Sequence, residues 1–456
     1  MSFAVFAFLA ALAGIQQVMD PFVRHDDYAA LLRHAEGYYP KTLSEGRWLN
    51  YFWILRPFDT PHWLNYALYQ GGWSIFCACV ALHASRTKSL FYVGYLALLL
   101  AVSPQAISIS GWFNTLVPGT WTLAAYAFLT LLVSPKLGVV LLLVFIPISL
   151  LTYSTYPLMF LSICLIRADA PRTLAALVTT VAVFVTSFAL GLTLINLLNY
   201  LEHGVFGLEI AEWRTPNPLS SIEDLLRNAR LIPRFFAQSA TMIGFGNEPH
   251  GIFNLTVFAI SLFLLGRQNL RDLVFVLAAL FVGFGLLVAH ILLEGTTIPF
   301  RATLFFWLLI AATISMAAEA QSDRSSMAAS VGRIILMTLT FYSSYLAHRA
   351  YATYNDWQRS TLELAAGIPG AQSTAYIYGS YIALEGGLEA GIQDARGLRL
   401  RLFHLTGANV ILCRETPEFC MNTNPPFDPV PRFGDGRLKS DESTVFIRLP
   451  ALDHTP

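Results

Sequence analysis

Charge is what this sequence has least of. Asp, Glu, Lys and Arg together make up 13% of its 456 residues, and the 29 acidic and 29 basic side chains cancel. Without a basic surplus to follow a phosphate backbone, a nucleic-acid partner is excluded. Nucleotide motifs are missing as well: there is no Gly-x-x-x-x-Gly-Lys-Ser/Thr and no Gly-x-Gly-x-x-Gly opening a helix. No internal repeat or low-complexity tract is visible, which weighs against transporter architectures built from duplicated halves. Charges deep inside apolar runs are almost absent, since His290 and Arg333 lie near run ends and Glu202 lies beyond one. That scarcity argues against proton or ion coupling. The first 18 residues have no charged leader and no clear cleavage site, so they read as a retained span and not a removable signal.

What the chain does have is apolar length. Hydrophobic residues make up 55% of it, and its mean hydropathy is +0.54. Both values are far from the soluble average and mark an all-α polytopic membrane protein. Runs long enough for a bilayer fall at 1–18, 63–84, 89–106, 115–133, 137–152, 155–166, 173–199, 251–266, 272–292, 301–317 and 328–347. Counted at roughly 20 residues each, they predict about eleven transmembrane helices. Pro147, Pro157 and the polar Thr152 to Tyr156 interrupt the 137–166 stretch, which is either two spans or one span with a re-entrant segment.

The short loops at 85–88, 134–136, 167–172, 267–271 and 318–327 hold Arg86, Lys88, Lys136, Arg167, Arg172, Arg267, Arg271 and Arg324, whereas 107–114 and 293–300 hold no Lys or Arg. The positive-inside rule puts the first set in the cytoplasm. The 19–62 loop, the 200–250 loop and the chain from 348 then face outward. In the 19–62 loop, Tyr28 to Arg33 and Phe52 to Leu55 read as short interfacial helices. In the second loop, Ser220 to Glu223 has capping-box spacing and predicts an amphipathic helix through Phe236.

From 348 the long apolar runs stop. Thr374–Tyr378, Asn409–Leu412 and Thr444–Arg448 read as short strands around a helical stretch near 389–405, a small α/β domain over 348–456 behind a membrane domain over 1–347. Cys77, Cys79 and Cys164 lie in apolar runs as small hydrophobes. Cys413 and Cys420 flank a turn-like Glu-Thr-Pro-Glu, which predicts a local disulfide in an oxidising compartment. No set of residues has metal-ligand spacing.

Polar clusters gather on the outward side of this topology. Asp26 and Asp27 follow the first run directly with His25 beside them, and an acidic pair at a membrane edge is costly enough to imply a use. Arg24, Arg33, Lys41, Arg47 and Arg56 share that loop although basic residues are disfavoured on the translocated side, which points to an anionic ligand. An outward site has no access to cytosolic nucleotide sugars, so a transfer reaction there needs a donor already in the membrane. A polyprenyl-phosphate sugar is such a donor.

The combination His25-Asp26-Asp27-Tyr28 followed by Gly46-Arg47-Trp48 resembles the bacterial O-antigen glucosyltransferase type II group of the GT-C membrane glycosyltransferases. The likeness covers the first loop and extends in general layout to the spans, to a Tyr-containing element at 153–156 and to Ile298-Pro-Phe-Arg301. Where that family pattern has Tyr-Gln this chain has Tyr156-Pro157, so the element is given no catalytic role.

The resemblance implies an inverting transfer of a sugar, glucose in that family, from a polyprenyl phosphate to an extracytoplasmic glycan such as lipopolysaccharide O-antigen, at the periplasmic face of the bacterial inner membrane. Asp26 or Asp27 would be the base, with Asp26 favoured. Arg47 and Arg301, with Arg24 and Lys41 behind them, would hold the donor phosphate, Arg being the better fork. His25, Tyr28, Trp48, Trp112, Asn114, Tyr153 and Tyr156 are the expected substrate contacts, although Trp48 and Trp112 also suit plain interface anchoring. A divalent cation is compatible with the reaction. The competing readings are a polysaccharide polymerase or ligase, using the same donors through an Arg- and His-rich outer loop, and a membrane transporter.

Overall fold

The computed structural model describes residues 7, 11–322, 326–421, 437–439 and 443–449. Half of the first apolar run, 1–18, and Arg324 lie outside the described residues. The chain divides into two compact units, one formed by Met1–Val18 with Ala29–His348 and the other by Met19–Tyr28 with Arg349–Pro456. The second unit is therefore discontinuous in sequence, and it takes in the segment that carries Asp26 and Asp27.

The first unit is helical. Ser103, Ser134, Thr173, Ser221, Asn247 and Asn269 each accept a backbone N–H from the first turn of the helix they precede. Each cap satisfies a donor that has no intrahelical partner. Among the described residues, five helical stretches are long and apolar enough to cross a membrane: Phe113–Leu132, Leu174–His203, Glu248–Gln268, Leu270–Glu294 and Phe300–Gln321. A sixth exists if Leu90–Ala101 and Pro104–Ser110, bent by 47° around the Ser103 cap, count as one span.

Other expected runs take different forms. The 63–84 run is the helix His62–Ala84, which buries Asn65, Gln70, Ser74 and His83 along with its apolar residues. The 137–166 stretch is two helices, Pro135–Leu150 and Tyr156–Ile166, the second buried at every position. The 328–347 run is the first half of a 40-residue helix, Ser326–Ala365.

The helix Leu174–His203 shows what solvent this unit is built for. Its buried stripe is Thr180, Phe184, Ser187, Gly191, Ile195 and Asn199, while Leu174, Val178, Val185, Leu190, Leu194, Leu197 and Leu201 face outward. Small and polar residues inside with leucine outside reverses the soluble pattern and suits lipid, where close packing, not water exclusion, joins helices. A Cβ at Gly191 would lie 3.0 Å from the backbone of Pro147, so glycine permits the contact with Pro135–Leu150. The short basic loops carry more than topology charges. Asp272, fully buried, pairs with Arg86 and with Arg172 Nε at 2.7 Å, and Glu319 accepts from Ser85 Oγ at 2.9 Å and from the Arg86 and Thr87 backbone N–H groups at 3.0 and 2.8 Å.

The amphipathic helix expected from Ser220 to Phe236 is two helices, Ile222–Ala229 and Leu231–Met242, with Ser221 as the cap. Pro233 has no N–H for the Ala229 carbonyl, which ends the first helix there. In the 19–62 loop the short helices are Tyr28–Leu31, Ala35–Tyr38, Pro40–Glu45 and Trp48–Ile54.

In the second unit β1 (Thr374–Tyr378), β2 (Asn409–Leu412), β3 (Arg437–Lys439) and β4 (Thr444–Arg448) form one sheet in the order β2-β1-β4-β3. β1 runs parallel to both neighbours, with Ala375 opposite Val410 on one side and Val445 on the other, and β3 is antiparallel to β4. The crossover from β1 to β2 contains the helix Arg396–Thr406, which buries Leu398 and Leu402. Cys413, just past β2, is disulfide-bonded to Cys420.

Candidate functional site

The acidic pair is held in place by the second unit. Asp20 receives two guanidinium nitrogens of Arg401, Nη1 to Oδ1 at 2.7 Å and Nη2 to Oδ2, from the helix Arg396–Thr406. The Gln358 amide donates to the Asp20 carbonyl. Phe22 stacks on Tyr354 with ring centroids 4.3 Å apart. Arg24 donates to the Gly391 carbonyl and lies over Phe22. It thus helps to anchor the segment.

The Asp27 N–H donates to the Arg24 carbonyl at 3.0 Å and closes a turn. Tyr28 ends the segment fully buried, facing His404, so its expected substrate contact is replaced by packing. Burial pushes its hydroxyl well above the ordinary tyrosine range against the pull of Arg401. The turn treats the two aspartates differently: Asp27 is fully buried, whereas Asp26 and His25 are only partly buried. Of the pair, Asp26 is the less buried carboxylate.

A second polar constellation lies in the first unit. Gly46, at φ 68°, closes the helix Pro40–Glu45, and a Cβ there would come within 2.8 Å of Ile195 Cγ2. That left-handed turn delivers Arg47, whose Nε lies 2.5 Å from Glu45 Oε2, while Glu45 Oε1 accepts from Arg214 at 2.9 Å. The Arg47 guanidinium lies over Tyr153, 5.3 Å from its centroid, and Tyr153 and Tyr156 are 5.2 Å apart.

Tyr38, buried nearby, has its hydroxyl pushed above the ordinary tyrosine range by desolvation and partly drawn back by Arg47. Lys41 covers its ring at 5.4 Å. Asn50 donates to the Tyr38 hydroxyl at 3.3 Å and to the Thr152 carbonyl at 2.9 Å. Its Oδ1 and the Thr155 hydroxyl are buried with no hydrogen-bond partner among the described residues. Two cations against Glu45, with Lys41 nearby and tyrosines and unsatisfied polar atoms at the border, make an environment suited to an anion.

Arg301 belongs to the turn Phe300–Thr303 and lies over Trp112 at 4.4 Å. The helix Leu231–Met242 packs on that turn and opens a cavity of about 170 Å³ lined by Arg234, Gln238, Thr297 and Ile298.

Lys41, Arg47, Tyr153 and Tyr156 are thus brought together, as are Arg301 and Trp112. Trp48 and Asn114 are each held by hydrogen bonds inside the first unit. Trp48 is buried and donates Nε1–H to Asn199 Oδ1 at 2.8 Å. Asn114 accepts from Asn65 through its side chain and from Trp53 through its carbonyl, both at 2.8 Å. Asp20, Tyr38, Glu45, Asn50, Arg214 and Arg401 escaped the reading of the sequence. Glu45 adjoins Gly46-Arg47 and could have been found there, but Arg401 stands 381 residues from Asp20 with no local signal. Among the described residues no group of three or more His, Cys, Asp or Glu could hold a metal ion.

No protein-family model matches the chain, and no curated protein matches it.

Proposed function

We propose that the chain is a membrane glycosyltransferase that moves a sugar, glucose by the motif resemblance, from a polyprenyl-phosphate donor to an extracytoplasmic glycan such as lipopolysaccharide O-antigen. The observation that carries this reading is the asymmetry of the acidic pair, in which a partly buried Asp26 stands beside a fully buried Asp27 on an anchored segment. A carboxylate that keeps some solvent contact on an anchored segment suits a general base. In this reading the eleven apolar runs span a bacterial inner membrane, and the 19–62 loop, the 200–250 loop and the chain from 348 face the periplasm.

In the reaction, the Asp26 carboxylate takes the proton of an acceptor hydroxyl as its oxygen attacks the anomeric carbon. The bond from that carbon to the phosphate oxygen breaks on the opposite face, and the lipid phosphate leaves with the electron pair. Arg47 and Arg301, with Lys41 behind them, are the cations that the motif resemblance assigns to the charge that grows on the phosphate. Asp27 positions the turn.

The test uses membranes, a radiolabelled polyprenyl-phosphate glucose and an O-antigen acceptor. Asp26→Asn abolishes transfer and Asp27→Asn lowers it. Full transfer by both single variants and the double variant would sink the assignment. Substrate uptake into proteoliposomes that contain no lipid-linked sugar would favour a transporter.

A further inference from the structure

We propose that the groove between the helix Arg396–Thr406 and the edge strand β2 is a binding site for a short, neutral stretch of glycan. Its occupant, the acceptor chain, rests on the transferase reading above, whereas the groove's chemistry does not.

The groove encloses about 340 Å³ and is lined by Asp394, Arg396, Arg399, Asn409, Glu415 and Phe419, among others. That is within the size range of small-ligand sites. The two acidic and two basic side chains cancel, which disfavours an ionic ligand and leaves planar groups able to donate to and accept from neighbouring hydroxyls. Burial alone would raise Asp394, but the Arg396 backbone N–H and guanidinium hold it below the usual carboxylate range, so it is an ionised acceptor at neutral pH.

Phe419 adds an aromatic ring to the apolar Val410, Ile411 and Leu412 of the strand. It is 62% exposed, an unusual state for phenylalanine outside lipid, and sits on the single turn Pro417–Phe419. The Cys413–Cys420 bridge ties that turn to the end of β2, so the ring is displayed from a short closed loop and not from a free one. A flat ring beside charged, planar hydrogen-bonding groups matches a pyranose, which has one face of C–H groups and a rim of hydroxyls. A peptide adding to β2 would instead need apolar side-chain pockets along more than four residues of strand.

The test measures binding with no donor present. The full chain in lipid nanodiscs is titrated with maltoheptaose, with a β-linked glucan hexasaccharide and with delipidated O-polysaccharide, read by saturation-transfer NMR and calorimetry. At least one glycan binds saturably. Phe419→Ala and Arg399→Ala each weaken it by about tenfold or more, a change matched to the loss of one aromatic or charge-assisted contact. Phe419→Leu, which keeps apolar bulk without the ring, falls between, and all three variants melt with the wild type.

Asp26→Asn binds glycan as the wild type does, so a failed transfer assay leaves the groove standing. An unchanged acceptor KM in Phe419→Ala would overturn the groove and leave Asp26 untouched. Absence of saturable binding to every probe, binding indifferent to Phe419 and Arg399, or preferential capture of an extended peptide each overturns the proposal.

Discussion

Arg401→Met is the sharpest perturbation the structure offers, because it acts on the acidic pair without touching it. The guanidinium makes two charge-assisted contacts with Asp20, and the side-chain exposures are 3% for Arg401 and 36% for Asp20. Breaking a wholly buried pair from one side costs about 3–5 kcal/mol. Water reaches Asp20 in part and takes over some of its solvation, and methionine keeps much of the buried stem, so the lower end of about 3 kcal/mol applies. At about 1.4 kcal/mol per factor of ten, the segment Met19–Tyr28 should open roughly 100-fold more often.

Hydrogen–deuterium exchange of the full chain in nanodiscs reads this directly, as faster exchange in peptides covering Met19–Tyr28, with β1 as the internal control. Arg401→Lys keeps the charge without the fork and gives an intermediate increase. Asp20→Asn added to Arg401→Met recovers part of the loss, with a coupling of about 2 kcal/mol between the positions. Sugar transfer falls in step, since Asp26 rides on the same segment. Unchanged exchange in Arg401→Met, or strict additivity in the double variant, would refute the claim that this pair fixes the acidic turn.

Other positions make independent demands. Gly46→Ala places a side chain at φ 68° and against Ile195, costing about 1–2 kcal/mol from the backbone alone, and should lower the melting temperature and raise the donor KM. Arg47→Lys replaces a fork with a point charge and should lower kcat by about 100-fold in the transfer assay, more than it weakens donor binding. Loss of the Cys413–Cys420 bridge through paired Ser substitutions should cost about 2.5 kcal/mol by loop entropy, seen as earlier thermal release of Phe419-containing peptides to protease.

Tyr28 and Tyr38 are both raised by burial and stay protonated in the folded state. Their contribution to stability is therefore complete below the unfolded tyrosine pKa of about 10 and is lost as pH rises above it. An ultraviolet titration should show their tyrosinate appearing together with unfolding.

Much of the layout could be read from period and composition. β1, β2 and β4 match the expected strands residue for residue, because alternating β-branched and aromatic runs between turn residues have few other uses. Helix ends were less legible: Pro233 split the helix after Ser221, and apolar continuity hid the 40-residue length of Ser326–Ala365. The site was half visible. Asp26, Arg47 and Tyr153 could be singled out because each costs something where it stands. Their partners could not, since Asp20 to Arg401 and Glu45 to Arg214 are pairings of distant residues that leave no trace in local pattern. The bond from Trp48 to Asn199 was hidden for a related reason: an aromatic in a membrane-edge motif looks the same whatever it meets.

The split origin of the second unit gives the acidic turn a history as well as a place. Met19–Tyr28 is synthesised before Arg401, which follows only after the roughly 320 residues of Ala29–His348 and some of the next stretch. At about 10 residues per second that is a wait of more than half a minute. During that interval the segment exists without the residues that anchor it, so the turn at Asp26 and Asp27 takes its final form only when the Arg396–Thr406 helix has been made.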